Sequence, residues 1–123
     1  MTAKPLISVV DDDAAIRIGL SSLIRSEGYE VALFESAEAF LASGASGKPG
    51  CLLTDIQMPG MSGLDLQARI RVEHPALPVL VMTAFPEEAM RQRALSAGAV
   101  CFLSKPFDAQ ELLRCLRRAL GER

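Results

Sequence analysis

The sequence predicts an α/β domain: a doubly wound, five-stranded parallel sheet with five helices. Three observations predict it. Short apolar runs alternate with longer stretches of helical periodicity, five times over. At 123 residues the chain is long enough for one core, and 1–123 reads as a single domain without repeat, linker or low-complexity segment. Half of the residues are hydrophobic but only 5% are aromatic, so the core is aliphatic, as parallel strands buried on both faces require. Such alternation builds parallel strands joined by right-handed crossovers. The flavodoxin-like strand order 2-1-3-4-5 fits this count.

The elements follow in order. Leu6 to Val10 is the first strand, and Asp12 or Asp13 can cap the helix after it. Ile16, Leu20, Leu23 and Ile24 give that helix one apolar face, and Gly28 ends it. Glu30 to Phe34 is the second strand. Ser36 caps a helix carrying Ala37, Phe40 and Leu41. Gly44, Gly47, Pro49 and Gly50 make a loop. Cys51 to Thr54 is the third strand, with Asp55 at its carboxyl end and Pro59-Gly60 as its stop signal. Ser62-Gly63 opens a helix with Leu64, Leu66 and Ile70, which ends near His74-Pro75. Pro78 to Met82 is the fourth strand. Pro86 suits the first position of the next helix, with Glu87 and Glu88 favoured by its dipole; Gly98 ends it. Val100 to Leu103 is the fifth strand. Asp108 and Glu111 have the spacing of a capping box, and Leu112, Leu116 and Leu120 form the last helix's apolar stripe.

Ligands of an open α/β sheet bind at the carboxyl ends of its strands, where the strand order reverses. For this order the reversal lies between strands 1 and 3. These are the strands that end in Asp11-Asp12-Asp13 and Asp55. Thr83 follows the fourth strand and Lys105 the fifth. Each residue alone has an ordinary explanation: a helix cap, a strand-end hydroxyl, a solvated charge. Yet only three lysines exist. Lys4 and Lys48 fall in a terminus and a loop, so Lys105 alone follows a core strand. Carboxylates crowded at one edge repel each other and raise their pKa values. A hard divalent cation such as Mg²⁺ relieves that repulsion. A carboxylate can also attack phosphorus, and phosphoryl transfer needs mainly positioning and charge neutralisation.

The segments Val9-Val10-Asp11-Asp12-Asp13, Thr54-Asp55-Ile56-Gln57-Met58-Pro59-Gly60-Met61-Ser62-Gly63, Val81-Met82-Thr83-Ala84 and Lys105-Pro106-Phe107 together resemble the receiver (CheY-like) domain of two-component response regulators. The likeness spans nearly the whole chain, with Asp12 to Asp55 separated by 43 residues, Asp55 to Thr83 by 28 and Thr83 to Lys105 by 22. Gly98-Ala99-Val100 and Lys105-Pro106-Phe107 resemble the FixJ-like subfamily. The resemblance implies that Asp55 accepts a phosphoryl group from a histidine kinase or phosphotransfer protein. It implies that Asp12 and Asp55 ligate Mg²⁺, with Asp11 contributing through water and Gln57 through its backbone carbonyl. Thr83 and Lys105 would contact the phosphoryl group, and Phe102 would be the switch aromatic. A cis Lys105–Pro106 bond is also implied. Such a domain is not a conventional enzyme, since it catalyses only its own phosphorylation and dephosphorylation. Its output surface, helix 4 and strand 5, is expected to dimerise on phosphorylation if the chain serves a transcription factor.

Two other classes fit less well. A haloacid-dehalogenase-like phosphatase places a second carboxylate two residues after its nucleophile, and Gln57 stands there. A flavin carrier needs a phosphate-binding loop after strand 1, where three aspartates would repel the anion. The net charge of −2 gives no basic surface for nucleic acid. No apolar run approaches a membrane span, and Met1 to Pro5 is too short and polar for a signal peptide. Cys51, Cys101 and Cys115 lack CxxC spacing and lie in apolar runs. They are expected to be buried reduced thiols in a cytoplasmic protein. The lone His74 is expected to be exposed and not a metal ligand. The chain ends just past the fifth helix and is expected to be a single-domain regulator or the receiver of a transcription factor.

Overall fold

A computed structural model describes residues 5–48 and 50–121. Lys4 and Pro49, assigned above to a terminus and a loop, lie outside the described residues, as do residues 1–3 of the segment read above as no signal peptide. The strands are β1 (Leu6–Val10), β2 (Glu30–Phe34), β3 (Gly50–Asp55), β4 (Val79–Thr83) and β5 (Cys101–Ser104). The helices are α1 (Ala14–Ser26), α2 (Ala37–Ser43), α3 (Gly63–Glu73), α4 (Glu88–Ser96) and α5 (Ala109–Ala119). All strand pairs are parallel, in the order β2-β1-β3-β4-β5. The expected fold class is therefore the observed one.

Residues alternate between the two faces of each strand, and this alternation separates two cores. Ile7, Val9, Cys51, Leu53, Leu80, Met82, Cys101 and Leu103 pack with Leu20 and Ile24 of α1 and Leu112 and Leu116 of α5. Val10, Leu52, Val79 and Val81 pack with Phe40 of α2, Leu66 and Ile70 of α3 and Ala94 of α4. The helices are anchored unequally. α5 buries Leu112, Leu113, Cys115 and Leu116, whereas α4 buries only Ala94. At about 1.5–3 kcal/mol per large buried apolar side chain, α4 is held several kcal/mol less firmly. It is the more weakly anchored of the two.

Side-chain caps set most helix starts. Asp13 accepts from the Ala15 and Ile16 amides, Ser36 from Ala39, Ser62 from Asp65 and Asp108 from Glu111. Gly63 is required by close approach, since a Cβ there would collide with the Asp55 carbonyl oxygen. Its N–H donates to the Ile56 carbonyl at 3.0 Å, which closes the loop beneath the strand-3 carboxylate.

Several expectations are corrected. Pro86 precedes α4 instead of opening it: Glu87 is the N-cap, with extended backbone. The Thr83 hydroxyl accepts the Phe85 N–H at 3.0 Å, so the chain is still turning when it reaches the proline. β4 and β5 each run one residue later than expected, through Thr83 and Ser104, because these two residues pair in the ladder. The loop after α2 contains a single 3₁₀ turn, Ala45–Gly47. His74 is half-buried rather than exposed, because it caps α3 and its ring packs toward Gly47.

The largest correction concerns the cysteines. Cys51 is a free buried thiol, pushed up to about 12 by burial. Cys101 and Cys115 instead form a disulfide between β5 and α5, with their Cα atoms 6.2 Å apart. That span lies within disulfide reach. A separation of 14 residues across a crossover carries no local signature. Among the described residues no helix is long and apolar enough to cross a membrane.

Candidate functional site

Strand register assembles the site. Val10 pairs with Thr54, so Asp11 and Asp55 leave neighbouring strands side by side. Asp55 pairs with Met82, and Thr83 with Ser104, so Thr83 and Lys105 flank the same edge. The sequence placed these residues at strand ends, and the ladder brings those ends level.

Asp11 is fully buried and Asp55 nearly so, while Asp12 is exposed. One carboxylate oxygen from each of the three lies within 4.8 Å of the others. Lys105 donates from Nζ to Asp11 Oδ2 at 2.7 Å and stands 3.5 Å from Asp55 Oδ1. Asp11 Oδ1 accepts the Asp13 N–H at 2.9 Å, and Asp55 Oδ1 accepts the Ile56 N–H at 2.9 Å. The Lys105–Pro106 bond is cis, as expected.

Burial, reinforced by the Asp11 charge, raises the Asp55 carboxyl above its ordinary range. Lys105 and the Ile56 amide offset part of that rise. The half-buried Lys105 ammonium thus holds two carboxylates that would otherwise repel each other. The donor set is all hard oxygen, clustered and only partly neutralised. It fits a hard divalent cation and not a soft one.

Thr83 is fully buried and is turned to Gln57, donating from Oγ1 to Oε1 at 2.6 Å. The Gln57 amide nitrogen in turn lies 3.7 Å from the Met90 sulfur on α4. Residues Gln57, Thr83 and Met90 therefore connect the carboxylate edge to α4. Phe102 is half-buried on β5, facing the α4 side of the sheet.

Sequence reasoning valued Gln57 for its backbone carbonyl and as a non-carboxylate, and missed its side-chain bond to Thr83. It also missed Arg17, whose Nη1 donates to the Asp11 carbonyl at 2.6 Å. Arg17 stands one helical turn after the Asp13 cap, which is the signal that could have found it. Glu38 was missed as well. It accepts the Met61 N–H at 3.0 Å, and that bond holds its carboxyl below the ordinary value. It thereby pins the Pro59-Gly60 turn from a distant helix. Arg91 and Arg93 lie exposed on α4, paired with Glu88 at 3.6 Å and with Asp65 of α3 at 3.8 Å.

The response regulator receiver domain family matches residues 7–117. The transcriptional regulatory protein FixJ of Bradyrhizobium diazoefficiens is 38% identical over 122 residues, covering 99% of this chain and 60% of that protein. The response regulator protein TodT of Pseudomonas putida is 41% identical over 115 residues, covering 94% of this chain and 51% of that protein. The solved structure of the response regulator StyR is 43% identical with a TM-score of 0.89, covering 97% of this chain and 60% of that one. The chain spans about half to three fifths of the length of these relatives.

Proposed function

This chain belongs to the response regulator receiver domain family, and on that premise we propose that it is a phosphorylation switch whose phosphoacceptor is Asp55. The observation that carries this reading is the buried Asp55 carboxylate, crowded by Asp11 and bridged by Lys105. Oδ1 is engaged by Ile56 and Lys105, so Oδ2 attacks the phosphorus of a histidine kinase or phosphotransfer-protein phosphohistidine. The O–P bond forms, the P–N bond breaks, and its electron pair returns to the donor imidazole. Lys105 moves from the carboxylates to the phosphoryl oxygens. Asp12 and Asp55 would hold Mg²⁺ directly, Asp11 through water, and Gln57 through its carbonyl. When bound, Mg²⁺ neutralises charge on the phosphoryl oxygens.

Incubation with acetyl phosphate and Mg²⁺ tests the reading. A receiver retains one acid-stable, hydroxylamine-labile phosphoryl group. Catalytic release of phosphate without a retained group would instead make it a phosphatase.

The new anion draws the Thr83 hydroxyl away from Gln57. Phe102 then turns toward the space that Thr83 leaves, and weakly anchored α4 shifts with Met90. The remodelled α4–β5 face docks a second copy of the chain. Reversing a 1:99 population takes about 5.5 kcal/mol, more than one charge-assisted hydrogen bond provides. Thr83, Lys105 and the dimer contact therefore share the work, with output through a transcription-regulating partner or domain. Gln57 holds the resting state by one hydrogen bond worth about 1 kcal/mol. Gln57→Ala should therefore lower, by about fivefold, the concentration of beryllofluoride, an acyl-phosphate mimic, that gives half-maximal dimer in sedimentation. An unchanged midpoint would remove Gln57 from the switch. A monomer at every concentration would reject activation-driven dimerisation.

A further inference from the structure

The cysteine pair has no part in phosphoryl transfer, yet it sits in the face proposed to change. Cys101 lies on β5 immediately before Phe102, and Cys115 lies on α5. Both are only 7–8% exposed, at the floor of a surface groove of about 380 Å³ that Arg91 and Leu95 of α4 and Glu111 and Arg118 of α5 also line. The Arg118 guanidinium stands 3.8 Å from Cys101 Sγ. A cation beside a thiol favours the thiolate, which is the reactive form. Arg118 is the cation beside the sulfur, since Arg91 pairs with Glu88 at 3.6 Å. Cys51 lies apart on β3, a free thiol that burial pushes up to about 12.

We propose that Cys101 and Cys115 form a reversible thiol–disulfide site, exchanged by a low-molecular-weight thiol of the glutathione class, whose oxidised form holds α5 to β5 and keeps the α4–β5–α5 face at rest. The coupling to phosphorylation rests on the reading of Asp55 given above. In the oxidising direction, the Cys101 thiolate attacks one sulfur of the small disulfide. That S–S bond breaks, and one small thiolate leaves with the electron pair. The Cys115 thiolate then attacks Cys101 Sγ in the mixed disulfide and displaces the second small thiolate. Two electrons pass from the protein sulfurs to the small disulfide. The two cysteine protons end on the two released thiols. The reverse sequence, with two small thiols, reopens the pair.

The direction of the effect follows from geometry. The bonded pair coexists here with Thr83 turned to Gln57, the arrangement assigned to rest. A covalent tie across β5 and α5 opposes movement of β5 and its Phe102 away from that arrangement. Coupling between two sites is reciprocal. The disulfide should therefore weaken binding of the acyl-phosphate mimic, and the mimic should hinder disulfide formation by the same factor.

The whole chain is equilibrated in buffers of reduced and oxidised glutathione, quenched by alkylation and mapped by mass spectrometry. Cys101 and Cys115 should lose alkylation together as the buffer oxidises, with Cys51 protected from alkylation until denaturation. Arg118→Gln should slow the first exchange step. Beryllofluoride titrations with Mg²⁺ should then show binding about fivefold or more weaker in the oxidised protein, with no redox dependence in Cys115→Ser. Independent alkylation of the two thiols in oxidised buffer would overturn the site. Equal mimic affinity in oxidised and reduced protein would overturn its regulatory role. If the reduced protein binds no mimic at all, the Asp55 reading fails and takes the coupling with it. The alkylation pattern still decides whether the thiol pair exchanges.

Discussion

Asp55→Asn is expected to abolish phosphorylation by acetyl phosphate and to leave a protein more stable than the parent at pH 7. The amide keeps the shape of the carboxylate but is no nucleophile. Intact mass should show one phosphoryl group on the parent and none on the variant. A phosphoryl group on the variant would move the site elsewhere. The stability gain has a separate cause. Burial and the Asp11 charge raise the folded-state pKa of Asp55, so the folded state resists its ionisation. Between the ordinary value of 3.8 and the raised value, the folded chain binds more protons than the unfolded chain. The Asp55 contribution to stability therefore falls as pH rises through that window. Asparagine does not titrate, so the variant escapes this loss. Denaturant midpoints should show its advantage at pH 7 and show it closing as pH falls toward the bottom of the window. Lys105 keeps its 2.7 Å partner Asp11 in the variant, so its half-buried ammonium is not left unpaired. A variant no more stable than the parent at pH 7 would mean that Lys105 already neutralises the cluster fully.

Mg²⁺ should raise the melting temperature of the parent, and Asp12→Ala should lose most of that response. Three carboxylates converge within 4.8 Å, and one ammonium with 14% of its side chain exposed serves two of them. A cation bound only by the folded state stabilises by mass action. The gain is about 1.4 kcal/mol at ten times the dissociation constant, or about 5 °C for a domain of this size. Asp12 is the exposed member of the cluster, so replacing it removes a ligand without opening a cavity. The variant lacking the cation should be as stable as the parent or more so. An unchanged Mg²⁺ response in Asp12→Ala would reject the ligand assignment, and chelation should reverse the response in the parent.

The site was legible where its chemistry coincides with local pattern. Asp11, Asp12, Asp55, Thr83 and Lys105 each stand at the end of an apolar run that reads as a buried strand. The strand order then placed those ends together. Gln57 and Glu38 were harder to read because each acts through a contact made across the fold. The Gln57 amide meets Thr83, 26 positions away, and Met90, 33 positions away. Glu38 meets the Met61 amide, 23 positions away. Nothing in the neighbourhood of these residues marks them.

Periodicity, caps and strand-end residues are local properties, because burial on one face and backbone satisfaction are decided within a few residues. They were enough to predict the five strands and five helices, and the order 2-1-3-4-5 that fits this count put the carboxylates at one edge. Only the tertiary structure decided that Lys105 rests on Asp11, that Thr83 is turned to Gln57, and that Cys101 meets Cys115 across β5 and α5. Each depends on a distance of a few ångströms between segments far apart in sequence. That distance is set by how the two cores pack against the sheet, which no single stretch of residues encodes.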